Sequence, residues 1–177
     1  MKNQFSLEYK ITIGADFLTK QIQKDENTIS LQMWDTAGTE QFNSVAGGFY
    51  RNSESCILVF DLTNSDSFAE VEVWRKRILE KLNPPEGEKF PFVLLGNKND
   101  LKDSIVVKDE DIQKYCNQHN NMPYFSVSAK TSENVEVAFN KVADLAFERY
   151  TKEELPLPEI KPVQLIEKTE EKKGCFC

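Results

Sequence analysis

The sequence predicts an α/β domain built on a doubly wound, mostly parallel sheet with one antiparallel hairpin. Three observations carry that expectation. Short unbroken apolar runs at residues 55–60 and 92–95 look like strands covered on both faces. Between and after them, apolar residues recur at helical spacing. Polar clusters follow the strands directly, on the rim where open α/β sheets gather ligands.

Taken in order, residues 1–9 open with neither cap nor turn and read as a frayed end. Residues 14–24 carry β-formers, Asp25-Glu26-Asn27 is a turn triplet, and Ile29, Leu31 and Met33 alternate, so this stretch is predicted to be a hairpin. Residues 33–42 read as the end of a buried strand entering a polar turn, which presents Asp35 and Gly38. The run at 55–60 is the next strand. Phe68, Val71, Trp74, Ile78, Leu79 and Leu82 predict a helix over 67–82, with Asn64 or Ser65 as cap and Pro84-Pro85 as stop. After the strand at 92–95 comes a weaker helix over 108–118, presenting Ile112, Tyr115 and Cys116, and a short strand at 124–127. Val135, Ala138, Phe139, Val142, Leu145 and Ala146 predict a helix over 133–150. Trp74 is expected in the core, and His119, at a helix end, in solvent.

Composition limits the function. A chain of 177 residues with 40% hydrophobic content has room for one core and a tail. Its net charge of -7 and pI near 4.9 argue against a nucleic-acid partner, which needs a basic face. No apolar run is long enough to span a bilayer, and the start lacks a signal-peptide layout, so an intracellular protein is expected. Cys56 and Cys116 read as buried free thiols, in keeping with a reducing compartment, and Cys175 and Cys177 crowd the end. From residue 151 the composition turns to Pro156, Pro158 and Pro162 among mixed Lys and Glu, a tether. The expected division is a folded domain over 1–150 and a tail over 151–177.

Three polar clusters converge on the rim: Asp35-Thr36-Ala37-Gly38, Gly96-Asn97-Lys98-Asn99-Asp100 and Ser128-Ala129-Lys130. Asp35 with the side-chain-free Gly38 suits a metal-bound phosphate. The other two suit guanine. Asp100, an ionised acceptor, takes both the ring N–H and the exocyclic amino group of guanine, whereas adenine offers an acceptor and no second donor. Asn97 either braces the loop or reaches the base edge, the stems of Lys98 and Lys130 cover the ring faces, and the Ala129 amide donates to the guanine carbonyl. Singly, Asp35 reads as a turn acid and Asp100 as a loop cap; their convergence favours a site.

Asp-Thr-Ala-Gly, Asn-Lys-Asn-Asp and Ser-Ala-Lys, in this order and spacing, resemble the Ras superfamily of small GTPases, enzymes that transfer a phosphoryl group by positioning and charge stabilisation. Trp-Asp-Thr-Ala-Gly, Phe49-Tyr50-Arg51 and the terminal Cys-x-Cys resemble its Rab branch, and residues 9–19 are similar to the late-endosomal and lysosomal Rab-seven type. The resemblance implies a P-loop-NTPase-like fold, GTP or GDP with Mg2+, and GTP hydrolysis. It assigns Tyr9, Thr12, Gly38, Asn97, Lys98, Asp100, Ser128, Ala129 and Lys130 to the nucleotide, and Thr12 and Asp35 to the metal, Asp35 through water. Thr12 and Gly38 would sense the third phosphate, ordering two switch segments. Phe17, Trp34 and Phe49 match an aromatic triad that presents the nucleotide state to effectors; without the family they read as ordinary core or hairpin packing. Cys175 and Cys177 resemble a doubly geranylgeranylated end, since one lipid chain anchors only marginally; metal binding by the pair lacks further ligands. Implied partners are effectors, an exchange factor, a GTPase-activating protein, Rab escort protein and GDP dissociation inhibitor, with a late-endosomal or lysosomal membrane.

Two departures qualify this. A Gly-x-x-x-x-Gly-Lys-Ser/Thr loop and the strand feeding it should precede Thr12, and the 177 residues contain no such loop. Either the chain is an incomplete product begun at an internal methionine, which the intact later motifs favour, or it is a short Rab-like protein that no longer binds nucleotide tightly. Both predict a gap between the hairpin and the strand at 55–60, where each unpartnered amide or carbonyl costs about 1–3 kcal/mol. The second departure is Thr39, in place of the glutamine that orients the attacking water; its short β-branched side chain predicts slow hydrolysis. A GTPase-activating protein that supplies both an arginine and a glutamine in trans would bypass it. The sequence therefore supports a GTP-dependent switch in vesicle traffic or, alternatively, a non-hydrolysing Rab-like interaction protein on membranes.

Overall fold

The computed structural model of the chain describes residues 11–24, 27–38 and 53–153. Strands β1 (Ala15–Lys24) and β2 (Asn27–Thr36) form the expected antiparallel hairpin, with Phe17 opposite Trp34 and Ile22 opposite Ile29. Its turn residues Asp25 and Glu26 lie outside the described residues. Strands β3 (Cys56–Asp61), β4 (Phe92–Asn97) and β5 (Tyr124–Ser126) form a parallel sheet in the order β3-β4-β5. Among the described residues no ladder joins the two sheets. The hairpin touches the rest through the last helix, Lys20 lying 3.8 Å from Glu136.

Helices α1 (Ser65–Leu82) and α2 (Asp109–Gln118) cover one face of the parallel sheet, and α3 (Val135–Glu153) the other. Strand β4 shows why its run is unbroken. Phe92 and Leu94 point into a core with Val71, Ile78 and Ile112, while Val93 and Leu95 point into a second with Ala138 and Val142. Val93, Leu94 and Ile112 are fully buried, each contributing about 1.5–3 kcal/mol. The expectation of two-sided cover fails for β3, where Val59 is 58% exposed. That strand pairs only with β4 among the described residues, and on the same face Ile57 is only partly buried, against the core under α3.

Helix α1 starts where its cap dictates. The Asn64 side chain accepts from the amides of Asp66 and Ser67 at 2.9 and 3.3 Å. It ends at Asn83, whose φ of 43° and ψ of 54° make a left-handed cap before the two prolines. Helix α3 runs to Glu153, past the expected boundary at Tyr150.

His119 is not the solvated residue expected. Its ring lies tilted against that of Tyr115 with centroids 4.4 Å apart, and its Nε2 lies 3.4 Å from Glu72. Helix packing encloses it in a network around Arg75, a buried guanidinium that donates to Glu72 at 2.8 and 3.1 Å and also to Glu88. The Tyr115 hydroxyl donates to Glu72 at 3.0 Å. The hydrogen bonds from Arg75, ahead of that from Tyr115, hold the Glu72 carboxyl down to about 2. Burial, with the neighbouring Arg75, lowers His119. Cys56 is partly exposed and Cys116 buried, both free, and burial pushes the Cys56 thiol up to about 12.

Candidate functional site

The residues read as a base site come together where β3, β4 and β5 end. Parallel pairing sets Asp61, the last residue of β3, beside Asn97, the last of β4. Gly96 is tightly enclosed here: an added Cβ would lie 2.9 Å from the Tyr124 hydroxyl and 3.0 Å from Leu62 Cδ2, so a neighbour would have to shift. The chain then turns through Lys98 at a φ of 68° into the loop that carries Asp100.

That loop is tied to β5 and the segment after it. Asn99 is buried; its amide donates to Val127 O at 3.0 Å and its side chain to Ser126 O at 3.3 Å. The Asn134 side chain donates to the same Ser126 carbonyl at 2.9 Å. Asn97 braces the loop: its Oδ1 accepts the Ala129 amide at 3.0 Å. The amide expected to meet the base carbonyl therefore already has a partner within the chain.

Ser128 is fully buried and stands behind Asp100, donating from Oγ at 2.6 Å. The same oxygen accepts the Thr131 amide at 3.1 Å. The residue expected at the nucleotide thus has its hydroxyl engaged within the chain, by Asp100 and the Thr131 amide. Lys130 Nζ lies 3.9 Å from the other Asp100 oxygen. The Ser128 hydrogen bond first, then Asp100's own backbone amide and nearby Lys130 and Lys102, keep the Asp100 carboxyl below its ordinary range, in the ionised form that accepts from two donors.

Lys98 is half exposed and pinned by Asp61 at 2.6 Å. Burial pushes Asp61 up, but hydrogen bonds from Lys98 and Thr63 outweigh it and hold the carboxyl low. Sequence reasoning missed Asp61, Asn99 and Asn134. Asp61 had a visible signal, an acid closing an apolar strand next to the one ending in Asn97. Asn99 sits inside the Asn-Lys-Asn-Asp run.

The second group lies on the hairpin. Thr12 Oγ1 donates to Asp35 Oδ2 at 3.1 Å, so two residues 23 apart are brought together. The Ala37 amide donates to Gly14 O at 2.9 Å, and Gly14 has a φ of 76° that glycine adopts without strain. Gly38 is exposed, with nothing among the described residues within 4 Å of an added Cβ.

Phe17 and Trp34 face each other across the hairpin with ring centroids 4.6 Å apart, 42% and 44% exposed. They form a half-exposed aromatic pair on one face of the hairpin. Tyr9, Thr39, Phe49, Cys175 and Cys177 lie outside the described residues.

Comparison with known proteins gives the family. A model of the Ras family matches residues 1–148. The chain is 40% identical over 178 residues to the Ypt/Rab-type GTPase ypt7 of Schizosaccharomyces pombe, an overlap of 100% of this chain and 86% of that protein. It is 42% identical over 179 residues to the Ras-related protein RABG3f of Arabidopsis thaliana, covering 100% and 86%. Against the Ras-related protein Rab7 of Glycine max it is 40% identical over 176 residues, covering 98% and 85%. The paired loops carrying Asn97, Asp100 and Ser128 thus sit in a sequence matched along its whole length, and the chain belongs to the Ras family as a Rab7-like small GTPase.

Proposed function

We propose that the chain is a guanine-nucleotide switch in vesicle traffic, with residues 1–150 as its GTPase domain and 151–177 as a lipidated tail. The observation that carries this is the Asp100 carboxylate, ionised at the rim and fixed from behind by Ser128. In this reading Asp100 accepts from the ring N–H and amino group of guanine, while the stems of Lys98 and Lys130 flank the base. Asn97 and Ser128 fix the frame, and adenine leaves Asp100 unpaired. The Thr12 hydroxyl and the Asp35 carboxylate are hard oxygen donors of the kind Mg2+ takes alongside phosphate and water, so the pair fits that ion. Bound with nucleotide, Mg2+ supplies charge neutralisation at the phosphates. Tyr9 and Gly38 complete the nucleotide contacts, and Phe17, Trp34 and Phe49 form the effector surface.

Two geranylgeranyl groups on Cys175 and Cys177 would hold the protein on the cytoplasmic face of late endosomes, lysosomes or related vacuoles. Escort protein and GDP dissociation inhibitor would handle the lipidated form, and exchange factor and GTPase-activating protein would set the nucleotide. Thr39 makes intrinsic hydrolysis slow.

The test is guanine-nucleotide retention on the purified chain. Bound GDP, lost on Asp100→Ala, supports the switch. Protein that folds but retains none overturns it in favour of a membrane-tethered interaction module.

A further inference from the structure

The Lys98 side chain runs across the end of the parallel sheet. Its backbone follows the last residue of β4, in the left-handed region at a φ of 68°, and its Nζ ends 2.6 Å from Oδ2 of Asp61, the last residue of β3. Asp100 is tied the other way, to Ser128 beyond β5, through the 2.6 Å bond from the hydroxyl. With the strands in the order β3-β4-β5, the Lys98 ammonium lies on the β3 side of the rim and the Asp100 carboxylate is held on the β5 side.

A lysine left to itself does not keep such a line. Its flexible four-carbon stem is half exposed here, and ordering it only when a ligand arrives would weaken binding. Asp61 supplies a partner that is itself fixed. Its Oδ1 accepts from the Thr63 amide at 2.8 Å and from the Thr63 hydroxyl at 2.7 Å, and its own amide donates to Ser67 Oγ at 3.0 Å. Parallel pairing sets its backbone beside Asn97, and the Leu62 amide donates to Asn97 O at 3.0 Å.

These bonds separate two uses of one side chain. Closing the turn into α1 employs Oδ1 and the backbone, whereas the contact of Oδ2 with Lys98 serves no part of that turn. An ion pair at this exposure does little for stability, so its effect belongs to binding. We infer that Asp61 is a positioning residue for guanine binding, holding the Lys98 stem stretched along the rim before the base arrives. The inference rests on the proposed nucleotide reading, in which that stem covers one face of the ring.

Asp61→Asn tests it, because the amide keeps an oxygen for Thr63 and removes the charge that faces Lys98. In nucleotide-free protein, competitive acetylation of Lys98, measured against Lys102 by mass spectrometry, should rise about threefold as the ammonium loses its counter-charge. On GDP-loaded protein, dissociation should speed by about twofold to tenfold, the cost of ordering one long side chain. In a Lys98→Met background the same Asp61→Asn change should add nothing, since no ammonium is left to hold. Equal acceleration in both backgrounds overturns the inference, because Asp61 would then act through the turn. Unaltered Lys98 labelling, or an unaltered GDP dissociation rate, in a protein that binds GDP overturns this role alone. A parent protein that holds no GDP overturns the nucleotide reading and this role with it, even where Lys98 labelling responds.

Discussion

Replacing Gly96 by alanine tests how the base-side loop is held. The added Cβ meets the Tyr124 hydroxyl at 2.9 Å, Leu62 Cδ2 at 3.0 Å and Leu62 Cγ at 3.1 Å. Neither neighbour yields cheaply. Tyr124 stacks on Phe60 at 6.4 Å, and Leu62 is buried with its amide donating to Asn97 O. Overpacking of this kind costs about 1–3 kcal/mol. At about 2–4 °C per kcal/mol for a chain of this size, the melting midpoint should fall by roughly 2–12 °C.

The Tyr124 hydroxyl is buried with no hydrogen-bond partner among the described residues, so Tyr124→Phe alone should be neutral or mildly stabilising. In the Gly96→Ala background it also removes the closest contact and should recover about half the loss. Urea denaturation of the four proteins measures the coupling. If the two changes add within about 0.3–0.5 kcal/mol, the hydroxyl is not what excludes a side chain at position 96.

Asp100→Asn keeps the shape but exchanges an acceptor for a donor, so guanine affinity should drop on the order of a hundredfold or more while xanthine, which carries an oxygen in place of the amino group, gains; competitive nucleotide titration reads this, and an unaltered base preference counts against the Asp100 assignment. Thr39→Gln should speed single-turnover GTP hydrolysis on nucleotide-loaded protein, and an equal rate would remove Thr39 as the cause of slow turnover. Glu72 sits at about 2 against an ordinary 4.5, so its contribution is full above about pH 4.5 and disappears as pH falls towards 2. The shift alone would give about 3 kcal/mol, which solvent screening of this partly open network cuts to about 1–2 kcal/mol. That acid-side slope should flatten in Glu72→Gln when urea midpoints are followed across the window. Asn64→Ala removes the cap of α1 and should cost about 1 kcal/mol, measurable by the same denaturation.

The parts of the fold that are legible in the sequence are those set by local pattern. Alternation through Ile29, Leu31 and Met33 marks the hairpin, the run from Phe92 to Leu95 marks a strand buried on both sides, and Asn64 followed by Phe68 and Val71 marks the start of α1. What stays hidden depends on contacts between elements. A helix end looks exposed in sequence, but α1 supplies Glu72 and Arg75 to enclose His119. An apolar run does not say which faces are covered, so Val59 reads as buried when it is open. In the site, the motifs identify the members and not their depth. Ser128 lies behind Asp100, and the Ala129 amide is engaged by Asn97, because a short motif cannot say which of its groups turns inward.

Among the described residues the two sheets share no ladder, and this separates the two groups of candidate site residues. Asn97, Asp100, Ser128 and Lys130 belong to the parallel sheet and its loops, whereas Thr12, Asp35 and Gly38 belong to the hairpin. Shifting the hairpin against the sheet breaks no main-chain ladder bond among the described residues. Under the proposed function, the residues taken to meet the base and those taken to meet the phosphate therefore lie on separate sheets among the described residues, joined by the contact of the hairpin with α3.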